Sequence, residues 1–145
     1  MDKHTTTSGK AAEAYVWMRL LEHGTVPCIP LVDCEGFDAL VRLTDGRCVR
    51  VQVKSRGESL PSTGAYGEQV KSLWWDTVEK SLAFDYLVIV LPSLGKDSCE
   101  AWVVPADVVR SRLSDRGDLT PSGKLLREDW AQYRECWTLG SSPGC

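Results

Sequence analysis

The chain has 145 residues, 43% of them hydrophobic and 26% charged, with a formal net charge of −3. That size and balance describe one globular domain over residues 1–145 and exclude a disordered chain or a uniformly basic nucleic-acid binder. The charge is uneven, however. Residues 1–57 carry eight Lys and Arg against seven Asp and Glu, whereas residues 58–145 carry nine against thirteen. An anionic partner is therefore expected at the N-terminal part.

The longest aliphatic run, residues 87–91, is far short of the about 20 apolar residues that a membrane helix needs. The first ten residues are polar and lack the apolar centre of a signal peptide. A cytoplasmic protein without a membrane segment is expected, with residues 1–7 and 141–145 as flexible tails. Six cysteines are scattered at 28, 34, 48, 99, 136 and 145, without a CxxC pair, and His4 and His23 are the only histidines. Zinc sites are built from close ligand pairs, so a zinc site is not expected. The cysteines read as reduced, small apolar side chains of the interior, with Cys145 loose at the end.

Residues 8–24 read as a helix with Ser8 as its N-cap and Gly24 at the C′ position. Residues 14–21 are apolar except Arg19, so the helix should be buried on most sides against a sheet. Glu13 stands at its entry, where a carboxylate suits the helix dipole. Residues 26–32 are β-rich but broken by Pro27 and Pro30, which marks an edge or irregular strand. Residues 37–43 and 48–54 alternate in polarity and predict two strands joined at Thr44-Asp45-Gly46.

The register of that hairpin can be derived. A two-residue loop would set the valines of 48–54 opposite Leu40 and Arg42. A three-residue loop with Gly46 in the left-handed conformation sets Val49, Val51 and Val53 opposite Val41, Ala39 and Phe37. Opposed residues share a face, so the second register is the expected one. It also places Asp38 opposite Gln52, with Arg50 and Lys54 to either side of Gln52.

Residues 56–67 read as a loop and 68–82 as a helix. Residues 85–91 and 101–104 read as buried strands. Pro105 opens a short helix through Leu113. Trp130, Tyr133 and Trp137 are expected to cap the core.

Asp38, Gln52 and Lys54 need a reason to stand among apolar strand residues, and the register brings them together. Glu13 lies on the helix expected to pack on that hairpin. A carboxylate and an amide oxygen are hard ligands suited to Mg²⁺ or Mn²⁺, and the Val53 carbonyl can complete the set. A metal so held can activate water, and a lysine beside it can orient that water or offset charge on a phosphate. Arg42, Arg47, Arg50 and Arg56 could face a phosphate backbone, with Tyr66 and Gln69 bordering the same side.

On Gly9-Lys10-Ala11-Ala12-Glu13, Gly36-Phe37-Asp38 and Val51-Gln52-Val53-Lys54-Ser55 the chain resembles the restriction endonuclease-like PD-(D/E)xK superfamily. It is most similar there to the Holliday-junction resolvase and group I intron homing endonuclease group. The resemblance is strongest over residues 8–56. It implies an α/β fold with a central mixed sheet flanked by helices, and a metal-dependent DNA endonuclease that works as a homodimer or higher homo-oligomer. It implies that Asp38 and Gln52 bind metal, that Glu13 supports the metal and its water, and that Lys54 is the catalytic lysine. Lys10, Arg42, Arg50, Arg56, Tyr66 and Gln69 would contact DNA. Gln52 departs from the family, which usually has Asp or Glu there. The alternative is an inactive nucleic-acid- or protein-binding module that keeps the fold.

Overall fold

Alternating apolar residues give the strands of one mixed sheet. The structure, a computed structural model, describes residues 3–34, 36–55, 83–92, 99–115, 119 and 124–140. The strands are β1 (Val26–Cys28), β2 (Ala39–Arg42), β3 (Cys48–Ser55), β4 (Tyr86–Pro92) and β5 (Cys99–Pro105), lying side by side in that order. Neighbours are antiparallel except β3 and β4, which are parallel. Helix α1 (Lys3–Glu22) packs on one face of the sheet. Helix α2 (Ala106–Arg110), a π-helical turn at Leu125–Asp129 and a 3-10 turn at Ala131–Tyr133 pack on the other. The expected α/β architecture is the one found.

The strand period of two decides which core each residue enters. Val88 and Val90 of β4 face α1 together with Ala101 and Val103 of β5. Leu87, Ile89 and Leu91 face the opposite core with Trp102 and Val104. Burial on both faces explains the unbroken aliphatic run of β4. The Trp102 indole N–H donates to the Leu126 carbonyl at 2.7 Å, so this large buried ring leaves no polar atom unpaired. Among the described residues no helix is long and apolar enough to cross a membrane.

Helix α1 differs from its expectation in two ways. It begins at Lys3, so Ser8 lies inside it and is not its N-cap. From residue 9 onward only the stripe Ala12, Val16 and Leu20 is buried, while Met18 and Leu21 are 48% and 57% exposed. A sheet covers one side of a helix lying on it, and the apolar run 14–21 exceeds that side. The helix end is as expected. Gly24 has φ +80°, its N–H donates to the Leu21 carbonyl, and the Thr25 N–H reaches back to Leu20. This is a Schellman end, with glycine at C′.

Strand β1 stops at Cys28, short of the expected 26–32, because Pro30 has no N–H to continue a ladder. Its place at the sheet edge accommodates Pro27. The β2–β3 hairpin has the derived register: Ala39 pairs with Val51, Val41 with Val49 and Arg42 with Cys48. Leu43 donates to Arg47 across the turn at 2.7 Å, and Gly46 has φ +88°. A β-branched residue is strained there even though the space around Gly46 is open. Gly46→Val should cost about 1–2 kcal/mol and lower the melting temperature by several degrees. Thermal denaturation measures this, and an unchanged midpoint would refute the strained turn.

The C-terminal segment closes the sheet's far edge. Arg134 bridges to Trp102 of β5, and Glu135, at φ +52°, exchanges bonds with Ala101 through its N–H and its carboxylate. The Trp137 indole donates to the same carboxylate at 2.6 Å. Trp130 and Tyr133 enter one core and Trp137 the other, so the aromatic tail caps both.

The cysteines depart from their reading. Cys28, Cys34 and Cys48 are exposed thiols and Cys99 is half-buried, while Cys136 is buried as expected but disulfide-bonded. Cys28 and Cys48 lie on the sheet face away from α1, and among the described residues no helix packs on that face at β1 and β2.

Candidate active site

Strands β2 and β3 bring the site together at one end of the sheet. β2 begins there and β3, antiparallel to it, ends there. The ladder stops at Ala39 opposite Val51, and Asp38 N–H donates to the same Val51 carbonyl at 2.8 Å. Two successive residues thus oppose one, as in a β-bulge, and the expected backbone pairs of Asp38 with Gln52 and Phe37 with Val53 do not form. Bulges re-aim side chains, and this one turns the Asp38 carboxylate to the end of the sheet. Its Oδ2 accepts the Val53 N–H at 2.7 Å and the Gln52 Nε2 at 2.8 Å. The predicted meeting of Asp38 and Gln52 is therefore made by side chains.

Gln52 and Lys54 lie on the face away from α1, since Val51 and Val53 fill the α1 core. The Gln52 amide nitrogen also approaches the Val53 carbonyl at 3.4 Å. Glu13 approaches from α1, where it pairs with Lys10 at 3.0 Å. Burial pushes the Asp38 carboxyl above its usual range against the Val53 N–H, which lowers it; the Glu13 charge adds to the rise, while Lys54 and Lys10 oppose it. Asp38 and Gln52 are thus joined by a direct bond, while Glu13 and Lys54 bear on Asp38 through their charges.

The donor set suits a hard divalent cation: two carboxylates whose mutual repulsion a cation would relieve, an amide and a backbone carbonyl. Among the described residues no group of three or more His, Cys, Asp or Glu is assembled, so the site holds fewer anions than a tri-carboxylate centre. The Gln52 amide presents its nitrogen to Asp38; turning it by a half-rotation would present oxygen instead.

The remaining expected contacts divide. Arg42 is exposed on β2 and Lys10 is exposed on α1. Arg50 is engaged elsewhere: its N–H and Nε donate to Asp85 Oδ2 at 2.7 and 3.2 Å, and its Nη2 reaches Oδ1 at 3.1 Å. The Asp85 N–H returns a bond to the Arg50 carbonyl at 2.9 Å. The bonded guanidinium holds Asp85 below the usual carboxylate range. Asp85 was not among the residues singled out from the sequence; its only signal was an acidic residue at the entry to an aliphatic strand. Arg56, Tyr66, Gln69, the loop 56–67 and the helix 68–82 lie outside the described residues.

Residues 3–115 match the PD-(D/E)XK endonuclease family, and the chain belongs to that family. Among solved structures it is similar to a bacterial homing endonuclease, I-Ssp6803I, with 26% identity and a TM-score of 0.57 over 90% of this chain and 86% of that one. No curated protein matches the sequence. The family match and the structural similarity agree on an endonuclease.

Proposed function

We propose that the chain is a Mg²⁺- or Mn²⁺-dependent endonuclease that hydrolyses phosphodiester bonds in DNA. The observation that carries this reading is the Asp38–Gln52 bond of 2.8 Å at the end of β3, with Lys54 on the same strand and the Glu13 charge acting on Asp38. Asp38, Gln52, the Val53 carbonyl and Glu13 would hold the cation. Bound there, a divalent metal supplies an activated water and offsets charge on the scissile phosphate. Lys54 orients that water or neutralises the phosphate. Lys10, Arg42, Arg50, Arg56, Tyr66 and Gln69 contact the DNA, with Arg50 needing release from Asp85 to do so. The homing activity of I-Ssp6803I supports DNA as substrate. A homodimer supplies the two sites that a double-strand cut needs, and the reading places it in the cytoplasm as a single domain.

The departure at Gln52 supplies the test. Gln52→Glu is nearly isosteric and adds a charge beside the cation. A unit-charge pair at about 4 Å is worth roughly 4 kcal/mol at an effective dielectric of 20, and desolvation removes much of it. Metal affinity should rise by about 1–2 kcal/mol, roughly tenfold. The DNA-free variant should also melt lower without metal, because the new carboxylate faces Asp38 where an amide N–H now donates. Calorimetry with Mg²⁺ and Mn²⁺ and a plasmid-cleavage assay with each metal and with chelator measure these effects. If neither form binds metal or cuts, the chain is a binding module on a nuclease fold, a reading favoured by the amide nitrogen facing Asp38.

A further inference from the structure

The segment between β1 and β2 carries the most exposed apolar side chains of the described protein. Leu31 is 104% exposed, Val32 74% and Ile29 55%. Three large aliphatic groups on one short connection are costly to leave in water, and such clusters mark contact surfaces. Their place in the fold says which contact. β1 runs antiparallel to β2, so the connection turns at the end of the sheet where β2 begins, the end that holds Asp38 and the last residues of β3. Its base is fixed there by the Cys34–Phe37 bridge, directly before Asp38. The far side of the locus is α1. The connection thus walls the end of the sheet where β2 begins and β3 ends.

Resting on the nuclease reading, we propose that residues 29–32 form an apolar wedge that enters the base stack of duplex DNA beside the scissile phosphate. A phosphodiester placed at Asp38 and Lys54 brings the duplex against this wall. The segment from Cys28 to Cys34 contains no Lys or Arg and one carboxylate, Asp33, so its contact with a duplex is apolar and made by residues 29–32. What aliphatic side chains do against a duplex is press between base steps, unstack them and bend the helix. Pro30 stiffens the segment, which lowers the ordering cost of insertion. A surface between two copies of the chain is the other use of such a patch. It is disfavoured here because the patch lies at the end of the sheet that carries Asp38 and Lys54, where the nuclease reading puts the duplex.

The test uses the full chain carrying Lys54→Ala, so that DNA is bound in Mg²⁺ without being cut, and a nicked circular plasmid as the probe. Ligation in the presence of the protein records any unwinding as a change in linking number. The Lys54→Ala protein should shift the topoisomer distribution. Adding Leu31→Ser and Val32→Ser should abolish the shift and weaken plasmid retention by about tenfold, as expected for lost base contacts. Both side chains are exposed, so the melting temperature should not change; a lowered one calls for repeating the assay with Leu31→Ser alone, which carries the same expectation. A shift that survives the substitutions overturns the wedge, as does plasmid binding with no shift at all. A fall in sedimentation mass caused by the substitutions would overturn it in favour of a copy-to-copy surface. Failure of the wild-type protein to bind and cut plasmid in Mg²⁺ would overturn the nuclease reading itself, and so separates the two.

Discussion

Lys54→Ala should reduce DNA cleavage by roughly a thousandfold or more, the range expected for loss of a positioned proton-transfer or charge-stabilising group. The fold should survive. Lys54 sits near the end of β3 and is only half-buried, and the core contacts of that strand come from Val51 and Val53. Alanine keeps the backbone N–H and carbonyl that the ladder to β4 needs. A supercoiled-plasmid assay in Mg²⁺ and in Mn²⁺, run beside a melting curve, measures both halves. Retained cleavage by a folded variant would remove Lys54 from the chemistry.

Asp38→Asn should abolish cleavage to a similar degree and at the same time stabilise the metal-free protein. Both bonds to this carboxylate fall on one oxygen, Oδ2, so an asparagine can accept the Val53 N–H and the Gln52 amide with its single carbonyl. What the substitution removes is a partly buried charge facing Glu13. Because the folded Asp38 carboxyl titrates above its usual value, chiefly through burial, the native state holds its proton more tightly than the unfolded chain does. Its ionisation therefore costs stability as pH rises from the unfolded value of 3.8 through the raised folded value, and the full cost persists above that. The melting temperature of Asp38→Asn should exceed that of the wild type at pH 7 in chelator, and the gap should close below about pH 4. In saturating Mg²⁺ the order should reverse, since only the wild type gains from binding. A variant less stable than wild type at pH 7 in chelator would contradict the charge burial.

The hairpin was legible because its information is local. Alternation assigned the faces of 37–43 and 48–54, and the three-residue turn at Gly46 then fixed which residues oppose. Where the chain leaves strict alternation, the sequence was silent. The bulge at Asp38 changes the backbone pairing without changing the polarity pattern, so only the side-chain meeting with Gln52 could be foreseen. The Arg50–Asp85 bonds join residues 35 apart in the chain, and no local period reports such a partner. Helix α1 was overread because eight nearly all-apolar residues suggest burial all round, whereas the sheet leaves Met18 and Leu21 uncovered. Glu135 was missed since a left-handed, non-glycine residue has no signature in composition.

The antiparallel neighbours β2 and β3 are joined by a turn that sets their alignment. The parallel neighbours β3 and β4 have no such turn, and a strand can slide against its neighbour until something stops it. Arg50 and Asp85 act as the stop. They grip at the entry of both strands through three bonds from Arg50 and one from Asp85. Lys54, opposite Ile89, stands at the other end of the same pair. A slip of one residue would carry its ammonium about 3.3 Å along the sheet and send it to the opposite face. The position of the lysine is thus measured out from an ion pair at the far end of its strand, as a ruler is read from its zero.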